Sequence, residues 1–238
     1  MNKIVIVTGE SRGLGELIAE KILESTSYCV VGLSRTQSSR LSLDSKRYFH
    51  IKTDLSDPAS LSSIYKESIK PLGVTYGLVN NSATAYDDLV TNMRLDELER
   101  MYGVNVFSPM VLTKYAIRDM IGNKVKGSIV HISSVCTETG YKGLALYAST
   151  KGALEAFSKN TAREWGSYGI RSNCVAPGFM ETKMSSSLGD EMKERIYSRT
   201  SLKSATSIES VAETVLFLLS EKAASVTGQV FRVDNGTV

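Results

Sequence analysis

Seven short apolar runs alternating with longer helical patterns constrain this chain more than any other feature. Ile4–Val7, Cys29–Leu33, Tyr48–Ile51, Tyr76–Asn80, Ser128–Ser133, Ser172–Ala176 and Gln229–Val233 are apolar on both faces. Strands covered by helices on each side have that pattern. Between them, helical periodicity predicts helices over Leu14–Ser25, Pro58–Ile69, Leu95–Ile121, Tyr147–Trp165 and Ile208–Ser220. Asp57-Pro58 predicts an N-cap followed by proline at N1, and Ser207 a second cap. Strand–helix alternation predicts an α/β fold with a parallel, doubly wound sheet that binds ligands beyond the carboxyl ends of its strands. At 238 residues the chain is expected to form one domain, residues 1–238.

Composition excludes several classes. Cys29, Cys136 and Cys174 are scattered and odd in number, with no metal-ligand spacing, so neither a disulfide framework nor a metal site is expected. Reduced thiols point to a cytoplasmic setting. The chain enters its first strand at once, which predicts no secretory leader, and no apolar run has membrane-spanning length. A net charge of +3 gives no basis for a nucleic-acid partner.

The first strand runs into Thr8-Gly9-Glu10-Ser11-Arg12-Gly13-Leu14-Gly15 and then a helix. Glycines suit a sharp turn and close backbone approach to a pyrophosphate, and the helix start offers free N–H groups to that anion. This placement predicts dinucleotide binding. The second strand ends Gly32-Leu33-Ser34-Arg35, with no carboxylate for an adenosine ribose. Arg35 and Arg12 instead supply two cations suited to a 2′-phosphate, which predicts NADP(H).

Tyr147-Ala-Ser-Thr-Lys151 places a phenol and an ammonium four residues apart on a predicted helix, hence on one face. The ammonium is expected to lower the phenol pKa and prepare it for proton transfer. A second Y-x-x-x-K, Tyr48 to Lys52, falls in a predicted strand, where four residues span roughly 13 Å; Tyr48 is read as packing. His50 and His131, also in strands, are read as core or edge residues, and Trp165 as packing or interface.

The T-G-x-x-x-G-x-G loop and Y-x-x-x-K helix together resemble the short-chain dehydrogenase/reductase family. The likeness covers essentially the whole chain and implies a Rossmann fold with a seven-stranded parallel sheet. It implies a catalytic set of Asn105, Ser134, Tyr147 and Lys151, with Ser134 thirteen residues before Tyr147. It assigns cofactor contacts to Gly9, Ser11, Arg12, Gly13, Leu14, Gly15, Ser34, Arg35, Asp54, Leu55, Asn81, Ser82, Ala83, Tyr147, Lys151, Pro177, Gly178 and Thr182. Two departures stand out. Ala83 replaces the last glycine of N-N-A-G, and Asp234-Asn235-Gly236 replaces D-G-G.

Pro109, four residues after Asn105, has no N–H and is expected to kink the long helix and leave the Asn105 carbonyl free. Either that carbonyl holds a water linking Lys151 to solvent, or Pro109 merely bends a long helix. Residues 183–199 are read as a substrate lid with an apolar side that includes Met184 and Leu188, or as a surface helix with a buried stripe. Cys136 and Leu144 are further candidates to line the substrate pocket.

Val175-Ala-Pro-Gly-Phe-Met-Glu-Thr-Lys-Met is similar to the 3-oxoacyl-(acyl-carrier-protein) reductase subfamily. Its members commonly carry arginine where Ser128 stands and near Tyr168, and both are missing here. Lys124 and Lys126 offer partial compensation toward an acidic carrier protein. The resemblance thus implies NADP(H)-dependent interconversion of a carbonyl and an alcohol, on an acyl thioester or another small ketone or sugar. It also implies a homotetramer packed through the helices at Leu95–Ile121 and Tyr147–Trp165. A non-catalytic NADP(H)-binding regulator on the same fold is the alternative from another class.

Overall fold

The computed structural model describes residues 2–41, 46–182 and 189–238. In chain order the first elements are β1 (Lys3–Thr8), α1 (Gly13–Ser25), β2 (Cys29–Ser34) and β3 (Tyr48–Lys52). A broken helical stretch follows: a 3-10 turn (Pro58–Ser60), α2 (Leu61–Ile64), a π turn (Tyr65–Ile69) and a second 3-10 turn (Lys70–Leu72). Then come β4 (Val74–Asn80), α3 (Leu95–Tyr102), a π turn (Gly103–Phe107), α4 (Ser108–Gly122), β5 (Ser128–Ile132), short α5 (Cys136–Thr139) and α6 (Ala145–Trp165). The chain closes with β6 (Arg171–Pro177), α7 (Asp190–Arg199), α8 (Ile208–Leu219) and β7 (Val230–Val233).

The seven strands form one parallel sheet in the order β3-β2-β1-β4-β5-β6-β7. The strand order reverses direction at β1 and β4, so a crevice opens above their carboxyl ends, where doubly wound sheets bind ligands. Side chains of β1 alternate between two cores, as strand geometry requires. Val5 and Val7 join Ile18, Ile22, Val211 and Val215 under α1 and α8. Ile4 and Ile6 join Leu61, Leu112, Ala116 and Met120 on the opposite face. Edge strands β3 and β7 are less buried than the five between them.

The predicted strands are all present, within two residues at each end. Two predicted helices are less regular than expected. Between β3 and β4 the helical backbone changes pitch three times. Asp57 does precede Pro58, but its carboxylate makes no capping bond, because only a three-residue turn follows. Ser207 caps α8 as expected, accepting from the Ser210 N–H at 3.3 Å.

The long helix does not simply kink before Pro109. It widens into the π turn Gly103–Phe107, and the Ser108 N–H donates to the Gly103 carbonyl five residues back. Pro109 has no N–H to give the Asn105 carbonyl, so the usual i+4 bond is impossible there. An inserted residue absorbs the mismatch. No helix among the described residues is long and apolar enough to cross a membrane.

Candidate active site

The glycine loop leaves β1 and turns directly into α1. Gly9 (φ 70°) and Gly13 (φ 60°) are left-handed, a conformation that disfavours a side chain. A Cβ on Gly15 would stand 2.3 Å from the Gly9 carbonyl oxygen and 2.5 Å from Asn81 Nδ2. A Cβ on Gly13 would meet nothing within 4 Å. The loop is therefore tight on its inner side and open at the helix start, a cradle of free N–H groups that fits a pyrophosphate.

Those two glycines predict different costs. Gly15→Ala is expected to lower stability by about 1–3 kcal/mol by overpacking and to abolish dinucleotide binding. Gly13→Ala is expected to cost only about 1–2 kcal/mol, from the left-handed backbone. Urea denaturation of the two variants measures the difference.

The loop after β4 is tied to the glycine loop. Thr8 Oγ1 accepts from the N–H groups of Asn81 and Ser82, each at 2.9 Å. Asn81 Nδ2 donates to the Thr8 carbonyl at 2.9 Å. Ala83 is half-buried in that loop. Arg12 and Arg35 are exposed, and neither forms an ion pair among the described residues. Ser34 is buried at the end of β2. The Asp54 carboxylate accepts from the Ser56 N–H and hydroxyl, which hold its pKa below the usual range. Leu55 points into the core.

Tyr147 and Lys151 lie one turn apart on α6 and face the same way. Lys151 Nζ stands 5.5 Å from the centre of the Tyr147 ring and donates to the Ile132 carbonyl of β5 at 2.8 Å. Burial pulls the lysine pKa down to about 8. The phenol departs from the sequence expectation. Burial pushes its pKa up, with further upward pressure from Cys136 and Asp87. The Lys151 ammonium, one turn away, does not reverse that direction.

The neighbouring serines at the end of β5 differ. Ser133 is buried and donates its hydroxyl hydrogen to Glu155. Ser134 Oγ accepts from the Cys136 N–H at 3.3 Å, and its hydroxyl also lies against the Cys136 thiol. Cys136 is buried beside this group, and burial raises its thiol pKa. Leu144 is half-buried just before α6.

Asn105 sits fully buried inside the π turn. Its amide nitrogen donates to the Thr84 carbonyl at 2.9 Å and to Thr150 Oγ1 at 3.1 Å, while its oxygen accepts from the Thr84 N–H at 2.9 Å. One side chain thus clamps the post-β4 loop to α6 beside Lys151.

Gly178 follows β6, where a Cβ would stand 2.5 Å from Thr206 Oγ1. Pro177 ends the strand, and Thr182 is half-buried beyond it. Met184 and Leu188, and the start of the expected lid, lie outside the described residues; its later part is α7.

Sequence reasoning missed Thr84, Thr150 and Asp87, because only the fold brings them to Asn105 and Tyr147. Asn235 stands where a glycine was expected. It adopts a left-handed φ of 57°, and its amide donates to the carbonyls of Ser204 and Ala205. Asparagine tolerates that conformation. His131 is core, as expected, but not fully satisfied: Nδ1 meets Asn80 at 3.2 Å, while Nε2 has no partner among the described residues. Burial pulls its pKa down to about 3. All three cysteines are free and buried, and no metal-holding cluster occurs among the described residues.

Residues 9–238 match the family model described as enoyl-(acyl carrier protein) reductase. The 3-oxoacyl-(acyl-carrier-protein) reductase FabG of Escherichia coli is 34% identical over 237 residues, covering 98% of this chain and 96% of the relative. This chain belongs to the short-chain dehydrogenase/reductase family. A 4-hydroxyisoleucine dehydrogenase complexed with NADH has the same fold, with a TM-score of 0.93 and 24% identity over 100% of this chain and 99% of that one. A blue fluorescent protein from a metagenomic library, complexed with NADPH, superposes with a TM-score of 0.89 at 29% identity, covering 99% of this chain and 98% of that one. The short-chain dehydrogenase/reductase described here is accordingly an oxidoreductase with a seven-stranded parallel Rossmann-like sheet.

Proposed function

We propose that this short-chain dehydrogenase/reductase reduces a ketone with NADP(H), and that its substrate is a 3-oxoacyl thioester. The observation that carries the reading is geometric: Tyr147 and Lys151 share one face of α6, with Lys151 Nζ 5.5 Å from the Tyr147 ring centre and hydrogen-bonded to Ile132 of β5, the strand that Ser134 follows. A carbonyl oxygen becoming an alkoxide needs one hydrogen-bond donor to place it and one acid to protonate it. Ser134 places it and Tyr147 protonates it. Lys151 holds positive charge one turn away, which favours the phenolate left after transfer. Asn105 positions the helix that carries both. The Asn105 carbonyl, which Pro109 cannot bond, would give a water a seat from which the proton is returned.

The nicotinamide supplies the hydride when bound. The glycine loop, Ser11 and Leu14 would hold the pyrophosphate, Arg12, Ser34 and Arg35 the adenosine ribose phosphate, and Asp54 and Leu55 the adenine. Asn81, Ser82, Ala83, Pro177, Gly178 and Thr182 would line the remaining length, and Lys151 would hold the nicotinamide ribose. Cys136 and Leu144 would border the substrate. The NADPH complex of the metagenomic protein and the 3-oxoacyl-(acyl-carrier-protein) reductase activity for which the Escherichia coli relative is named support the reading.

One observation favours a second reading, a small free ketone. Ser128 is fully buried, and its hydroxyl donates to the Leu218 carbonyl, while Tyr168 is exposed but neutral. Neither position offers the cation an acidic carrier protein would meet. The exposed apolar residues Leu89, Val90 and Met93 before α3, Leu95 at its start and Phe107 in the π turn support a homotetramer packed through the Leu95–Ile121 and Tyr147–Trp165 helices.

A substrate panel tests the assignment. NADPH absorbance is expected to fall with 3-oxoacyl thioesters, and about tenfold or more slowly with NADH, as loss of a bidentate phosphate contact implies. Turnover of simple ketones alone selects the second reading. Equal rates with both cofactors overturn the NADP(H) assignment.

A further inference from the structure

Glu10 belongs to the glycine loop but has no place in the reading above. It is fully buried and lies over Gly32 of β2, where a Cβ would stand 2.3 Å from the Glu10 carboxyl carbon. Oε1 accepts from the Ser34 hydroxyl at 3.0 Å and the Tyr48 hydroxyl at 3.1 Å, and meets His50 Nδ1 at 2.9 Å. Oε2 is buried without a hydrogen-bond partner among the described residues. A half-satisfied buried carboxylate is costly and calls for an explanation.

Its link to Ser34 supplies one. Ser34 has a single hydroxyl hydrogen, and two acceptors within the protein compete for it: Glu10 Oε1 at 3.0 Å and the Thr36 carbonyl at 2.7 Å. Toward a ligand at the end of β2, Ser34 therefore turns lone pairs. A ribose 2′-hydroxyl can donate to them. A 2′-phosphate, an acceptor, cannot, and it also meets the Glu10 charge behind Ser34.

We propose that Glu10, acting through Ser34, is a specificity-determining residue that weakens the preference for a 2′-phosphate set up by Arg12 and Arg35, so that the site also accepts NADH. This rests on the reading of Arg12, Ser34 and Arg35 as the adenosine end of the site.

Glu10→Gln and Glu10→Ala in the full chain test it, with nicotinamide fluorescence reporting the Kd of NADPH and NADH, and 2′-AMP and 5′-AMP as competitors. NADPH and 2′-AMP are expected to bind about tenfold more tightly, with NADH and 5′-AMP changed less than twofold. An unchanged NADPH-to-NADH ratio, or equal weakening of both, overturns the proposal. Ser34→Ala provides a test independent of whether the Glu10 variants fold. It is expected to weaken NADH and spare NADPH, and selective weakening of NADPH overturns the proposal. Arg12→Ala and Arg35→Ala separate the two levels. If neither lowers the NADPH preference, the underlying cofactor reading fails. If both lower it while the Glu10 variants leave it unmoved, only the present inference fails.

Discussion

Replacing Tyr147 with phenylalanine is expected to lower kcat by about two to four orders of magnitude, the range supplied by one positioned proton donor. Cofactor Kd should change little. Stability should also hold, because no hydrogen bond of the Tyr147 hydroxyl occurs among the described residues, so its removal strands no partner. Steady-state rates, cofactor titration and thermal melting of one preparation separate these effects. A variant that keeps its turnover would remove Tyr147 from the chemistry. A variant that loses no biological effect while turnover is absent throughout would instead favour the non-catalytic regulator.

Lys151→Met is expected to act in opposite directions on activity and stability. Activity should fall by about two to four orders of magnitude, since the phenolate left after proton transfer loses its nearby charge. Stability at neutral pH should rise, on the order of 2 kcal/mol. In the unfolded chain the lysine keeps its proton up to its ordinary pKa of 10.5, whereas burial in the fold brings this down to about 8. Below pH 8 the folded protein must bury a charge, so the lysine opposes folding fully there. Between pH 8 and 10.5 the unfolded state binds more protons, and wild-type stability from this group rises with pH. The variant's advantage should therefore be largest below pH 8 and shrink toward pH 10.5. Urea unfolding at pH 7, 9 and 10.5 measures it, and a constant difference would refute a charged buried lysine.

Much of this architecture was legible because it depends on local periodicity. Double-sided apolar runs such as Val30–Leu33 belong to strands buried on both faces, and the glycine loop after β1 marks a strand-to-helix turn. The four-residue step from Tyr147 to Lys151 places both on one helical face whatever surrounds them. Pro109 announced that the helix around Asn105 must break its bonding pattern, though not that a π turn would accommodate it. The short helix α5 was not predicted, because it has only four residues, and α7, within the segment read as a lid or a surface helix, lacks the expected buried stripe.

The amino-acid order alone determined the parallel α/β class, the phosphate-binding turn and the spacing of the phenol and ammonium, since each follows from contacts within a few residues. The tertiary structure decided the electrical state of those groups. Desolvation by surrounding segments pushes the Tyr147 pKa up, against the expectation from its neighbour, and the approach of β2 and β3 to the glycine loop buries Glu10 against Ser34, Tyr48 and His50. Burial is a property of the assembled surroundings, and no local pattern encodes it.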